Sequence, residues 1–156
     1  MLEEYRKKRD FKETPEPVPE NFKEGRDKPI FVIQKHDAST LHYDFRLEID
    51  GVLKSWAVPK EPPSKAGIKR LAIQTEDHPL EYADFEGEIP EGHYGAGKVE
   101  IWDRGTFELK KFEEKELICT LEGEKLQGDY VMIKTKFGKE GKGWLLFKKK
   151  AEQREG

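Results

Sequence analysis

An imidazole, a carboxylate and a guanidinium stand at alternate positions 42, 44 and 46 of the segment Leu41-His42-Tyr43-Asp44-Phe45-Arg46-Leu47-Glu48-Ile49. Side chains alternate faces along a β-strand, so the five apolar residues share one face and His42, Asp44, Arg46 and Glu48 share the other. Same-face neighbours lie roughly 7 Å apart. That spacing lets His42 and Asp44 converge on one metal ion, with Arg46 in reach of an anionic ligand of that ion. The chemistry open to such a row is metal-assisted work on a phosphate. A solvated face of an antiparallel strand alternates in the same way. Two features weigh against that plainer reading: Asp is depleted from strands, and a further imidazole, His36, ends the apolar run Ile30–His36. A short connection between the two runs returns the chain beside itself.

The elements that must position this row can be read outward from it. Asp50-Gly51 is the dipeptide of a two-residue hairpin with positive φ at both central positions. If it turns there, Ile49 pairs with Val52, Arg46 faces Ser55 and Asp44 faces Ala57, while Phe45 meets Trp56 and Tyr43 meets Val58 on the other face. The partners on the polar face are small, so that face reads as the floor of a recess. Further β-like runs follow at Arg70–Thr75, Lys98–Trp102, Thr106–Leu109, Glu116–Leu121, Tyr130–Thr135 and Trp144–Lys148, divided by turn signals such as Asp103-Arg104-Gly105 and Gly138–Gly143. Regular short strands imply a mainly β protein, a single compact antiparallel barrel or sandwich. Peripheral to it come a short helix around Leu2–Lys8 and an extended arm, since the three prolines of Thr14-Pro15-Glu16-Pro17-Val18-Pro19 exclude helix and central strand alike. The reading is one domain over residues 1–150, its arm spanning 1–28, with a frayed tail at 151–156.

Composition bounds the rest. The 156 residues suit one domain, and 39% charged residues give a thickly charged surface. Three Trp, nine Phe and five Tyr supply a core. No apolar run is long enough for a membrane span or a signal peptide, which gives a cytoplasmic expectation with no membrane partner. A net charge of −3 disfavours coating nucleic acid but permits binding one end. The basic clusters Arg6–Arg9 and Lys148–Lys150 read equally well as solvated termini. The lone Cys119, inside a β-like run, reads as core filler rather than nucleophile.

Two more constellations carry chemistry. Pro79 restricts the backbone of His78 and so aims its imidazole from a strand end, although a solvated loop histidine accounts for the same residues. The glycines of Ile89-Pro90-Glu91-Gly92-His93-Tyr94-Gly95-Ala96-Gly97-Lys98 could cradle a phosphate, yet they lack the spacing of a Walker loop and read better as a tight connection.

Several motifs stand in one order: Arg9-Asp10-Phe11, Thr14-Pro15-Glu16-Pro17, Gln34-x-His36-x₅-His42-x-Asp44-x-Arg46, Trp56-Ala57-Val58-Pro59-Lys60 and Glu76-Asp77-His78-Pro79-x-x-Tyr82. Phe85-Glu86-Gly87, Gly92-x-Tyr94-Gly95-Ala96-Gly97, Trp102-Asp103-x-Gly105 and Trp144-Leu145-Leu146 follow them. This order resembles the 3′-phosphoesterase domain of the ATP-dependent DNA ligase D of bacteria and archaea, over almost the whole chain. The resemblance implies a β-barrel enzyme of DNA repair and end joining, usually manganese-dependent, with Zn²⁺ or another divalent ion also compatible with the ligands. Its substrate would be the 3′ end of DNA or of a mixed DNA/RNA primer-template. A terminal ribonucleoside is removed by phosphodiesterase action, and the remaining 3′-phosphate by phosphomonoesterase action.

Carried over by position, the resemblance implies metal ligands at His36, His42 and Asp44. It implies phosphate-binding groups at Arg9, Arg46, His78 and Tyr82, the last three also catalytic, and supporting residues at Asp10, Glu16 and Gln34. The family domain is commonly fused to ligase and polymerase modules that this sequence does not carry, so it would act alone or with a separately encoded DNA ligase and polymerase. Two other readings stay open: a non-catalytic module that holds a 3′-phosphate for a partner, and a metalloenzyme for small molecules.

Overall fold

Asp50 and Gly51 have φ of 56° and 82°, the positive pair of a type I′ turn, and the hairpin they close carries the expected register. The computed structural model describes residues 28–93, 96–136 and 141–150. Strand β1 (Ile30–Asp37) pairs antiparallel with β2 (Leu41–Ile49), and β2 with β3 (Val52–Val58) through Ile49–Val52, Arg46–Ser55, Phe45–Trp56, Asp44–Ala57 and Tyr43–Val58. Then follow β4 (Lys69–His78), a 3₁₀ turn (Leu80–Asp84), β5 (Gly87–Ile89), β6 (Gly97–Phe112), β7 (Glu116–Gly123), β8 (Gln127–Lys134) and β9 (Gly143–Lys148). The order β1-β2-β3-β4-β9-β8-β7-β6 closes on itself by β6 pairing with β1, and β5 adds to the outer reach of β6. All the pairings are antiparallel, and the expected barrel is what forms. Closure leaves the ring no free edge.

The inward faces fill the barrel with Phe31, Ile33, Phe45, Leu47, Trp56, Val58, Phe107, Leu117, Leu121, Tyr130, Met132 and Leu146, all buried. Cys119 lies among them, and burial pushes its thiol up to about 12, so it packs as a small apolar group and is not poised as a nucleophile.

One expected turn is absent. Asp103-Arg104-Gly105 lies within the continuous 16-residue strand β6, which bends where the register with β1 slips between Ile33 and Gln34. The turn chemistry serves a neighbour. The buried Asp103 carboxylate accepts from the backbone N–H of Glu124 and Leu126 at 2.9 Å each, and so organises the β7–β8 connection. Gly105 lets β7 come close, because a Cβ there would lie 2.1 Å from the Glu122 carbonyl oxygen.

The outer wall carries a second, smaller core. Val32 of β1, Leu53 of β3 and Val99 of β6 face outward and are covered by Tyr82, Ala83, Phe85 and Ile89. Residues 79–89 thus cross the outside of the barrel as a cover over the polar row of β2. That face is a roofed layer rather than the open recess expected of it: Gln34, Asp44, Arg46 and Ser55 are all buried. Among the described residues, helical structure is limited to the 3₁₀ turn and a single 3₁₀ residue at Gly141. The expected helix at Leu2–Lys8, the tail at 151–156 and all of the arm except Lys28 lie outside them.

Gly105→Ala should cost about 1–3 kcal/mol through overpacking against β7, lowering the melting temperature by several degrees. An unchanged thermal transition would contradict the close approach.

Candidate metal and phosphate site

The site grows from the cross-strand pairs of one hairpin. His36 stands directly opposite His42, and Gln34 opposite Asp44, so side chains from two strands meet on the outer face. The His36 and His42 rings lie 4.8 Å apart between centroids. His36 Nδ1 is 3.5 Å from Asp44 Oδ2, and His42 Nε2 is 3.3 Å from Asp44 Oδ1. One ligand atom from each of the three falls within 4.8 Å of the other two. Two imidazole nitrogens and a carboxylate oxygen, converged and largely screened from water, form a donor set that fits a divalent transition ion.

Protonation follows from the same contacts. Burial alone would raise the Asp44 pKa, but the Arg46 charge and then the hydrogen bonds from His36 and His42 hold this carboxyl well below the usual range. For His42, burial alone would lower the pKa; the hydrogen bond and charge of Asp44, with the Thr40 carbonyl, prevail and set it above its ordinary value. His42 Nδ1 lies 3.1 Å from that carbonyl. Donation there fixes the ring and directs Nε2 at Asp44.

Arg46 continues the row inward and is 4% exposed. Its Nε donates to Gln34 Oε1 at 2.7 Å, its Nη1 donates to Ser55 Oγ at 2.8 Å and approaches His78 Nδ1 at 3.1 Å, and its Nη2 lies 3.4 Å from Asp44 Oδ2. Of five guanidinium N–H groups, one on Nη2 is left to donate. The second Nη2 N–H becomes available to a phosphate only when Asp44 turns Oδ2 elsewhere. Gln34, on β1, ties this geometry to the cover, since its Nε2 donates to the carbonyls of Tyr82 (2.8 Å) and Phe85 (3.2 Å).

His78 ends β4, buried, with Nδ1 3.1 Å from both Arg46 Nη1 and the Glu76 carbonyl. One nitrogen cannot serve both: protonated it donates to the carbonyl, and unprotonated it accepts from Arg46. The second state places the ring proton on Nε2. Tyr82 packs its ring 5.0 Å from the Arg46 guanidinium carbon and edge-on to His78 at 4.9 Å.

The structure therefore brings together Gln34, His36, His42, Asp44, Arg46, His78 and Tyr82. Arg9, Asp10 and Glu16 lie outside the described residues. Ser55 was read only as a small partner; its hydroxyl, passing its own proton to the Leu53 carbonyl at 3.0 Å, is a buried prop of Arg46. Glu48, the last member of the row, accepts from the Ile30 backbone N–H at 2.9 Å. The glycine-rich connection bears on the β1–β2 turn, where a Cβ at Gly97 would lie 2.5 Å from the Asp37 carbonyl oxygen. Between them opens a cleft of about 720 Å³, lined by Asp37, Ser39, Glu91 and His93.

Fold and site define a class: a closed antiparallel barrel with an imidazole and carboxylate cluster joined to a buried arginine on its outer wall. Residues 34–134, which span that cluster, match the family model described as the DNA Ligase D 3′-phosphoesterase domain. The chain is 52% identical over 155 residues to the multifunctional non-homologous end joining protein LigD of Pseudomonas aeruginosa, covering 96% of this chain and 18% of that protein. Against the multifunctional non-homologous end joining DNA repair protein LigD of Mycobacterium tuberculosis it is 50% identical, covering 97% and 20%. Against LigD of Mycolicibacterium smegmatis it is 47% identical, covering 97% and 21%. The chain belongs to the DNA ligase D 3′-phosphoesterase family, and it spans about a fifth of the length of these relatives. Among the described residues no helix is long and apolar enough to cross a membrane.

Without metal, His42 has a raised pKa, so its protonated form stabilises the fold below its unfolded value near 6.5, and that contribution is lost as pH rises through the folded value. A divalent ion held by the cluster would compete with this proton. Metal uptake near neutral pH should release protons, and affinity should fall as pH falls. Calorimetry in buffers of different ionisation heat reads this directly; no proton release would contradict the ligand assignment.

Proposed function

We propose that this chain is a divalent-metal-dependent phosphoesterase that trims the 3′ ends of DNA or DNA/RNA primer strands during end joining. It removes a terminal ribonucleoside to leave a 3′-phosphate, then the phosphate to leave a 3′-hydroxyl. The observation that carries the reading is the convergence of His36, His42 and Asp44 within 4.8 Å beside a buried arginine. The named roles of the family relatives in end joining and DNA repair support the setting.

His36, His42 and Asp44 would hold the ion, Mn²⁺ on the family's pattern, with Zn²⁺ competing on ligand type alone. A bound ion supplies Lewis acidity at a phosphoryl oxygen. The remaining work belongs to the chain. Arg46, already held by Gln34 and Ser55, presents Nη2 to the charge that gathers on the phosphoryl oxygens. His78, with Nδ1 accepting from Arg46, carries its proton on Nε2 and can donate to the leaving oxygen or to a non-bridging one. Tyr82 packs against the Arg46 guanidinium and the His78 ring and excludes water from the guanidinium, which strengthens its field. Arg9, by resemblance, adds a second cation to the phosphate, with Asp10 and Glu16 in support. A net charge of −3 suits an enzyme that grips one strand end through a local site. The 3′-hydroxyl product is what a DNA polymerase or ligase consumes, so partners of those classes, fused or separately encoded, act after it.

The test is incubation with Mn²⁺ and an end-labelled primer-template bearing one 3′ ribonucleotide. A shortened 3′-phosphate product, converted with time to a 3′-hydroxyl, is expected; binding without turnover would favour the end-holding module instead. His42→Ala should abolish both reactions while the melting temperature stays within a few degrees, since no core cavity opens, and near-normal turnover in replete metal would contradict it.

Arg46→Lys should lose on the order of a hundredfold in activity. One ammonium cannot hold Gln34 and Ser55 and also meet a phosphate. Full activity in this variant would show that only diffuse positive charge is needed.

His78→Ala should slow the diester step more than the monoester step in single-turnover assays, because a sugar oxygen leaving from a diester needs the better-placed donor. Equal losses in both would mark a shared phosphate contact instead.

A further inference from the structure

Beside the site, strands β3 and β4 do not pair residue for residue. Ser55 stands opposite Thr75, and Leu53 opposite His78. One residue, Lys54, separates these pairs on β3, while two, Glu76 and Asp77, separate them on β4. This is a β-bulge, whose extra residue shifts the alternation of the strand that carries it. The shift decides where His78 points. Leu53 and Ser55 both face the outer wall, Leu53 in the outer core and Ser55 with its hydroxyl against Arg46. Cross-strand partners share a face, so Thr75 faces that wall too. On an unbroken β4, His78, three residues further along, would face the barrel interior. The extra residue returns it to the outer wall, where its Nδ1 lies 3.1 Å from Arg46 Nη1 and its ring packs against Tyr82. The same bulge sets the Glu76 carbonyl 3.1 Å from that nitrogen.

An ion pair spans the bulge. Lys54 is the β3 residue that opposes both extra positions, and its Nζ lies 3.6 Å from Asp77 Oδ2. The Asp77 side chain is 11% exposed and that of Lys54 24%, so solvent screens this pair less than an exposed one. A carboxylate this far from water needs its countercharge, which ties the bulged residue of β4 to one position of β3. We propose that Asp77 is a positioning residue: its pairing with Lys54 fixes the bulge that turns His78 onto the outer wall and keeps Nδ1 within reach of Arg46. The role of His78 in proton donation rests on the function proposed above; the bulge and its ion pair do not.

The experiment compares the parent with Asp77→Asn, which keeps the side chain's shape and removes its charge. Long-range ¹H–¹⁵N spectra of the imidazoles report on the chain's four histidines. In Asp77→Asn the His78 ring nitrogens should shift while those of His36 and His42 stay in place. On a primer-template with a 3′ ribonucleotide, kcat should fall about tenfold with KM unchanged, as expected of a misplaced group rather than a lost binding contact. Lys54→Gln should reproduce both changes, and Lys54→Arg, which keeps the pair, should match the parent. The double variant Asp77→Asn with Lys54→Gln should lose no more than either alone, since the two act as one unit. If Asp77→Asn does not fold, Lys54→Gln, at the more exposed member, carries the comparison; failure of both would make the pair a condition of folding and overturn the positioning role. A folded variant whose His78 resonances are unmoved, or in which all four histidines move together, would overturn it as well. The spectra are recorded without metal or substrate. A parent that processes no 3′ end would therefore sink the phosphoesterase reading and leave the His78 shift standing.

Discussion

The organising constraint is a cation buried on the outside of a barrel. The outward face of a closed sheet ordinarily meets water, yet Arg46 and Asp44 are 4% and 7% exposed there. Burying a guanidinium demands a countercharge and partners for its N–H groups, and removing one member of such a pair costs about 3–5 kcal/mol. Gln34, Asp44, Ser55 and His78 meet that demand from four strands, β1 to β4. Gln34 matters twice. Its oxygen accepts from Arg46 while its nitrogen donates to the cover's Tyr82 and Phe85 carbonyls, so the roof that dries the site and the geometry of the site are fastened by one amide.

Asp44 is the shared element. It faces Arg46 on one oxygen and the two imidazoles across both, and its charge is what lifts the His42 pKa over the opposing effect of burial. On the proposed function, an ion held by the cluster would take the place of protons there, and were it to draw Asp44 Oδ2 away from Arg46 it would free a guanidinium donor for a phosphate. Metal binding and phosphate binding would then be coupled through a single carboxylate.

The sequence made the hairpin legible because three signals agreed: alternation, Asp50-Gly51, and small residues opposite the polar row. Every pair read from them is present. Asp103-Arg104-Gly105 misled because its turn-forming carboxylate caps the connection of another hairpin, a tertiary use of local chemistry. The cover was not legible at all. Tyr82, Ala83, Phe85 and Ile89 follow no strand or helix period, and the surface they pack on exists only once β1, β3 and β6 have assembled. The His36, His42 and Asp44 trio could be proposed from spacing in part, since His42 and Asp44 share a strand; the place of His36 needed a cross-strand register. Arg9, Asp10 and Glu16 were suggested by resemblance alone, and no local pattern ties them to the hairpin.

The most direct test of this account is anomalous diffraction from crystals of the chain grown with Mn²⁺. The account predicts one strong peak bonded to His36, His42 and Asp44 together, with Arg46 still held by Gln34 and Ser55 but released from Asp44. A manganese peak elsewhere on the protein, with the Asp44–Arg46 pair intact and the imidazoles unligated, would contradict it.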